Sequence, residues 1–264
     1  EGRIIAMNYF TKKWYELCQK ISIHFSLKEV KESESFSEEY FHQLYKQELM
    51  EWLSLQEKIV SYKAELEITK GSCISYEPLD REKLSEQFYE GFIYRQEYVK
   101  TALPEEILKE IADIRVCALG KASYQVIQAV TLFCEDNEKS VNRTLEEYQK
   151  YYKKASKSFD RNIVENINFH DCSIIDVKQT EQYLSILFDN SGGFTDIDEV
   201  QFENYEIIKQ DALLQNSRWL YDEIYKINDK YELHVLLQNV DLVDFIISAD
   251  NITFKHRPKD DCKA

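Results

Sequence analysis

Proline and glycine are scarce in this chain, 3 Pro and 6 Gly in 264 residues, and no proline falls between Glu105 and Arg257. No flexible linker is therefore written into the composition, and the parts of the chain are expected to dock closely. Positive charge is the second deficit: 33 Lys and Arg face 48 Asp and Glu, a formal net charge of -15. The imbalance is uneven, with 9 Lys and Arg against 19 Asp and Glu in residues 169–264. A nucleic-acid duplex or an anionic membrane would be repelled by that field, whereas a basic protein partner would be attracted. The plainer reading is that acidity keeps the protein in solution.

The 6 cysteines, Cys18, Cys73, Cys117, Cys134, Cys172 and Cys262, contain no C-x-x-C pair, and no signal peptide precedes them. Metal-finger spacing is thus absent, no metal or other cofactor is expected, and reduced thiols in the cytoplasm are the simplest account. No apolar run approaches the roughly 20 residues that span a bilayer. Serine-hydrolase, phosphate-cradle and dinucleotide signatures are missing too. Gly192-Gly193 reads as a turn.

What is present is apolar and aromatic: 44% of residues are hydrophobic and 13% aromatic, ample for a core. Residues 1–6, ahead of Met7, read as a cloning remnant. Residues 7–168 read as helices, with Thr11, Ser37 and Asp80 as N-caps and Pro104 in the first turn of a fourth helix. The second helix carries an apolar stripe through Phe41, Leu44, Trp52 and Ile59. A fifth helix is expected over residues 122–134, and a sixth starts near Asn142 or Thr144.

From Phe169 the period changes to two. Residues 169–257 read as antiparallel strands, with a hairpin over 175–188, a strand over 199–204 and a last pair over 243–249 and 252–256. Residues 205–216 fit strand or helix equally, and 258–264 form a polar tail. The fold class expected is α+β, a helical N-terminal domain followed by a mainly antiparallel β-sheet domain.

The most distinctive stretch is residues 219–237, two alternating runs around an Asn228-Asp229 turn. An even-length turn places Ile224 opposite Leu233 and Glu223 opposite His234. Trp219, Tyr221, Glu223, Tyr225, Glu232 and His234 then share one face, too aromatic for ordinary surface and too charged for ordinary core. Leu220, Ile224, Tyr231, Leu233, Val235 and Leu237 take the other.

Residues 7–15 (MNYFTKKWY), 113–120 (DIRVCALG), 219–225 (WLYDEIY) and 231–237 (YELHVLL) together resemble an uncharacterised family of Firmicute proteins, domain of unknown function 4085. The resemblance covers most of the chain from Met7 to Arg257 and implies a bacterial, cytoplasmic protein. It implies no activity for any residue.

Two functional readings follow from the residues. The leading one is a non-catalytic protein-binding module, with Trp219, Tyr221, Tyr225, Glu232 and Leu236 as partner contacts. A basic target suits it, as for an antitoxin or immunity-type protein, unless the helices cover that face as an internal seam. The alternative is a metal-dependent or hydrolytic enzyme built on His170, Asp171, Glu223 and His234, since imidazole and carboxylate suit zinc and related ions. Its bland counterpart pairs Glu223 with His234 across the hairpin and uses His170 and Asp171 as backbone caps. Cys172, near His170, would be a nucleophile only as a low-pKa thiol. Self-association through a sheet edge or the Tyr148-Tyr151-Tyr152 helix is a third reading, and the oligomeric state stays open.

Overall fold

The computed structural model describes residues 6–69 and 79–256. In chain order the elements are α1 (Lys12–Cys18), β1 (Lys28–Glu29), α2 (Glu38–Thr69), α3 (Arg81–Ala102), α4 (Glu105–Leu108), α5 (Ile114–Ala118), β2 (Lys121–Ala122), α6 (Tyr124–Ala155) and α7 (Arg161–Asn166). Then follow β3 (Ser173–Gln179), β4 (Tyr183–Asp189), β5 (Ile197–Glu203), β6 (Glu206–Gln210), β7 (Arg218–Ile227), β8 (Lys230–Gln238), β9 (Leu242–Ala249) and β10 (Asn251–His256). Helices first and antiparallel strands second is the α+β class expected. Most of the segment read as a cloning remnant, residues 1–5, lies outside the described residues, as do 70–78, the polar tail 258–264, Cys73 and Cys262.

Side-chain caps start the helices where their residue types call for them. Thr11 Oγ1 accepts from Trp14 N at 3.1 Å, Ser37 Oγ from Tyr40 N at 3.2 Å, and Asp80 Oδ1 from Glu82 N and Lys83 N at 3.1 and 3.0 Å. The fourth predicted helix is instead two short ones. Pro104 is the N-cap of α4, and Asp113 restarts the chain by accepting from Arg115 N at 2.9 Å. The fifth and sixth predicted helices are one, α6, because no Gly or Pro interrupts residues 124–155. Thr144, read as a cap, donates its hydroxyl back to Ser140 O, a mid-helix habit.

Contact density divides the chain differently from the change of period at residue 169: Glu1–Gln19 joins Glu138–Ala264 in one compact unit, and Lys20–Asn137 forms the other. The first unit takes this composition because the N-terminal segment and the end of α6 pack on the strands.

In that unit the strand order is β10-β5-β4-β3-β7-β8-β9-β6, antiparallel throughout. β3 and β7 meet through one pair, Ser173 opposite Arg218, while β10 approaches β8 and β5 approaches β9. The sheet therefore bends round so that its halves enclose a core including Ile186, Val200, Phe202, Leu233, Phe245 and Trp219. The last two strands are no hairpin. β10 pairs with β5, setting Ile252 opposite Phe202 and Phe254 opposite Val200, while β9 lies between β8 and β6.

The β7-β8 hairpin has the expected register, with Ile224 opposite Leu233 and Glu223 opposite His234. Asn228 and Asp229 hold φ of 51° and 64°, the left-handed backbone this turn requires. A bulge at Leu220 changes one assignment: Trp219 lies opposite Leu237 on the core face, away from Tyr221 and Tyr225.

In the second unit α2 and α3 run antiparallel, with Arg81 Nη1 at 2.5 Å from Glu57 Oε1 at one end and Phe41 against Phe92 at 6.0 Å towards the other. Arg115 joins Glu38 and Asp113 and lies over the Phe41 ring at 4.1 Å. Gly120, at φ 78°, follows α5 where a Cβ would meet Ser26 O at 2.8 Å.

Candidate functional site

The aromatic face of the β7-β8 hairpin is occupied by the chain's own N-terminal segment. Glu223 is fully buried, and its carboxylate accepts backbone N–H groups from Asn8, Tyr9 and Phe10 at 2.9, 2.7 and 2.6 Å. Tyr225 Oη donates to the same group at 2.5 Å. Four donors thus meet a charge that burial would otherwise penalise heavily. Burial and this negative charge together raise the Tyr225 phenol well above its ordinary value, and burial first, then Glu223, raises Tyr9.

His234 and Glu232, two residues apart on β8, point the same way and meet at 2.7 Å. Both are buried, and His234 Nδ1 lies 3.1 Å from Ala6 O. A carbonyl only accepts, so Nδ1 is the donor to Ala6 O. The expected pairing of Glu223 with His234 is corrected: they are ladder neighbours whose polar atoms go to different partners.

Aromatic rings close the remaining space. Phe10 packs on Trp14, Tyr148 and Tyr221 at 4.9, 4.7 and 5.5 Å, and Trp14 meets Tyr221 edge-on at 4.8 Å. Tyr151 lies 5.2 Å from Tyr225. The open edge of β7 is satisfied from α6: Ile224 N donates to Tyr148 Oη, and Tyr151 Oη donates to Ile224 O, both at 3.2 Å. Burial raises the Tyr148 phenol strongly and Tyr151 to about 12, so both hydroxyls stay protonated, Tyr148 accepting and Tyr151 donating.

The residues expected to touch a partner are therefore committed internally. Trp219 and Leu236 are fully buried, Glu232 and Tyr225 nearly so, and Tyr221 is half-buried under Trp14 and Phe10. The signal missed was the aromatic run of residues 9–15, which supplies these contacts across more than 200 residues of sequence.

The four residues of the enzyme alternative have no common focus. His170 Nδ1 lies 3.1 Å from Asp171 Oδ2, in poor hydrogen-bond alignment, and the His170 ring stands edge-on to Tyr221 at 4.7 Å. Asp171, at φ 64°, donates its N–H to Trp219 O, which makes it a strand-entry residue. Glu223 and His234 hold the separate partners described above. Among the described residues no three His, Cys, Asp or Glu side chains are grouped so as to hold a metal ion. Burial pushes the Cys172 thiol up to about 11, the wrong direction for a nucleophile.

The described surface offers another site, on α2. Phe41, Leu44 and Leu53 are buried, but from Ser54 onward no described α2 side chain is. The apolar face nevertheless continues through Trp52 into Leu55, Ile59, Tyr62 and Leu66, at steps of three and four. These last four are 54, 38, 62 and 41% exposed. The Arg81–Glu57 pair puts the start of α3 level with Glu57, so about 18 Å of α2 runs on past it. Beside the base of this overhang is a cavity of about 630 Å³, lined by Trp52, Leu55, Phe88, Val99 and Leu103 among others. A stripe visible in the sequence is thus half core and half exposed among the described residues.

The chain is an α+β protein whose polar hairpin face is covered by its own N-terminal segment and whose helix α2 carries an exposed apolar stripe among the described residues. The chain belongs to the family described as Protein of unknown function (DUF4085), which matches residues 35–249. No curated protein and no solved structure matches it. No described helix is long and apolar enough to cross a membrane.

Proposed function

We propose that this protein is a non-catalytic, cytoplasmic protein-binding module, and that its partner presents a basic amphipathic helix to the exposed face of α2. The observation that carries this is the switch from buried to exposed along one continuous apolar face, from Leu53 to Leu66. Single exposed apolar residues need no explanation, but an aligned set at helical spacing suits helix-in-groove recognition. Charge selects the occupant. The unit Lys20–Asn137 holds 14 Lys and Arg against 22 Asp and Glu, which disfavours a second copy of the same acidic surface and favours a cationic one.

A defined pair of probes tests it: an amphipathic leucine/lysine helix peptide and its leucine/glutamate counterpart, titrated by fluorescence anisotropy. The lysine peptide should bind and the glutamate peptide should not. Combining Ile59→Ser, Tyr62→Ser and Leu66→Ser leaves the net charge unchanged and should weaken binding at least tenfold, about 1.4 kcal/mol. Because all three are surface residues, circular dichroism should show the fold retained. Equal affinity for the wild type and the triple variant would show attraction to acidity alone. Light scattering that finds a dimer in the wild type and a monomer in the variant would hand the face to a second copy. Either result overturns the proposal.

A further inference from the structure

We infer that the cavity of about 630 Å³ in the Lys20–Asn137 unit is a binding site for an aliphatic monocarboxylate, with its chain in the apolar interior and its carboxylate on Arg95. The volume lies within the range of small-molecule pockets, and apolar walls with a few charged groups are the usual composition of such sites. Trp52, Leu55, Phe88, Val99, Leu103 and Leu119 supply the walls. Cys117 adds to them as a neutral thiol, since burial raises it to about 11.

Three charged residues line the cavity, and their pairing decides the ligand. Glu48 Oε1 accepts from Lys121 Nζ at 2.6 Å, so that carboxylate is neutralised within the protein. Glu51 accepts from Gln47 Nε2 at 2.9 Å. Arg95 has no hydrogen bond or ion pair among the described residues, and its guanidinium lies 5.9 Å from the Phe88 ring centroid. A planar cation with free N–H donors at the mouth of an apolar cavity matches a carboxylate, which it can hold in two parallel hydrogen bonds. The nearby Glu51 opposes a second negative charge, so a monoanion fits and a phosphate dianion does not. The aliphatic body follows from the walls.

The cavity shares Trp52 and Leu55 with the α2 face, but Arg95 is on α3 and Ile59, Tyr62 and Leu66 do not line the cavity, so the variants that test this inference and the protein-binding reading fail separately. The experiment is calorimetric titration of the full chain, below micelle-forming concentrations, with octanoate, decanoate and dodecanoate, and with dodecanol as the uncharged match. Dodecanoate should bind one to one, at least tenfold tighter than dodecanol, with roughly fourfold in affinity for each added methylene that the cavity accepts. Arg95→Gln, at an exposed position with no hydrogen bond or ion pair among the described residues, should bring dodecanoate down to the level of dodecanol and leave dodecanol unchanged. Dodecanoate binding no tighter than dodecanol overturns the assignment. So does an Arg95→Gln chain that retains the preference, or the absence of binding by every member of the series.

Discussion

Glu223→Ala should release residues 8–10 from the sheet and lower stability by about 3–5 kcal/mol, since each buried donor left without its acceptor costs about 1–3 kcal/mol. The substitution strands three backbone N–H groups that now point at the carboxylate at 2.9, 2.7 and 2.6 Å, together with the Tyr225 hydroxyl. Water reaches those donors only if the segment lifts, so the loss is local before it is global. Amide hydrogen exchange is the measurement. Exchange at Tyr9, Phe10 and Trp14 should accelerate by at least a hundredfold, with smaller change at the β3-β4 ladder. Glu223→Gln keeps the shape and one acceptor, so its penalty should fall between wild type and alanine. An alanine variant with wild-type stability and an undisturbed N-terminal segment would remove the carboxylate from its anchoring role.

Trp219→Ala should cost about 3–5 kcal/mol, the usual toll for emptying the site of a buried aromatic. Trp219 is fully buried, edge-on to Phe169 at 5.2 Å and to Phe188 at 5.7 Å, with its indole N–H donating to Asp222 Oδ2 at 2.9 Å. Trp219→Phe keeps most of the packing, removes the donor and exposes a pH dependence. Burial pushes the Asp222 carboxyl from 3.8 up to about 6, the Trp219 bond opposing that rise and the Glu223 charge adding to it. A raised carboxyl stabilises the fold fully below its unfolded value near 3.8, and that contribution is lost as pH climbs through about 6. Above that pH the fold holds a desolvated carboxylate that the indole N–H favours. The penalty of Trp219→Phe should therefore be greater at pH 7.5 than at pH 5.0 in chemical denaturation. A penalty independent of pH would mean the bond has no bearing on the titration of Asp222.

Local chemistry was legible in the sequence, and long-range pairing was not. Thr11, Ser37 and Asp80 cap helices because the donor and acceptor are two or three residues apart, and Asn228-Asp229 sets its hairpin register for the same reason. The bulge at Leu220 was invisible, since alternation carries no mark where one extra residue is absorbed, and it moved Trp219 to the core. The fate of Glu223 depended on amides more than 200 positions away. For α2 the stripe was readable, but which half of it finds a neighbour depends on where α3 begins alongside it. The candidate site therefore changed place: the face chosen for its composition is sealed, and the open face looked like ordinary core.

The binding reading is tested most directly by the hydrogen-exchange footprint of the leucine/lysine peptide on the wild-type chain. Slowed exchange confined to residues 55–66 of α2, with residues 219–237 unchanged, is the predicted result. Slowed exchange across 219–237, or release of residues 8–10 with α2 unaffected, would contradict it.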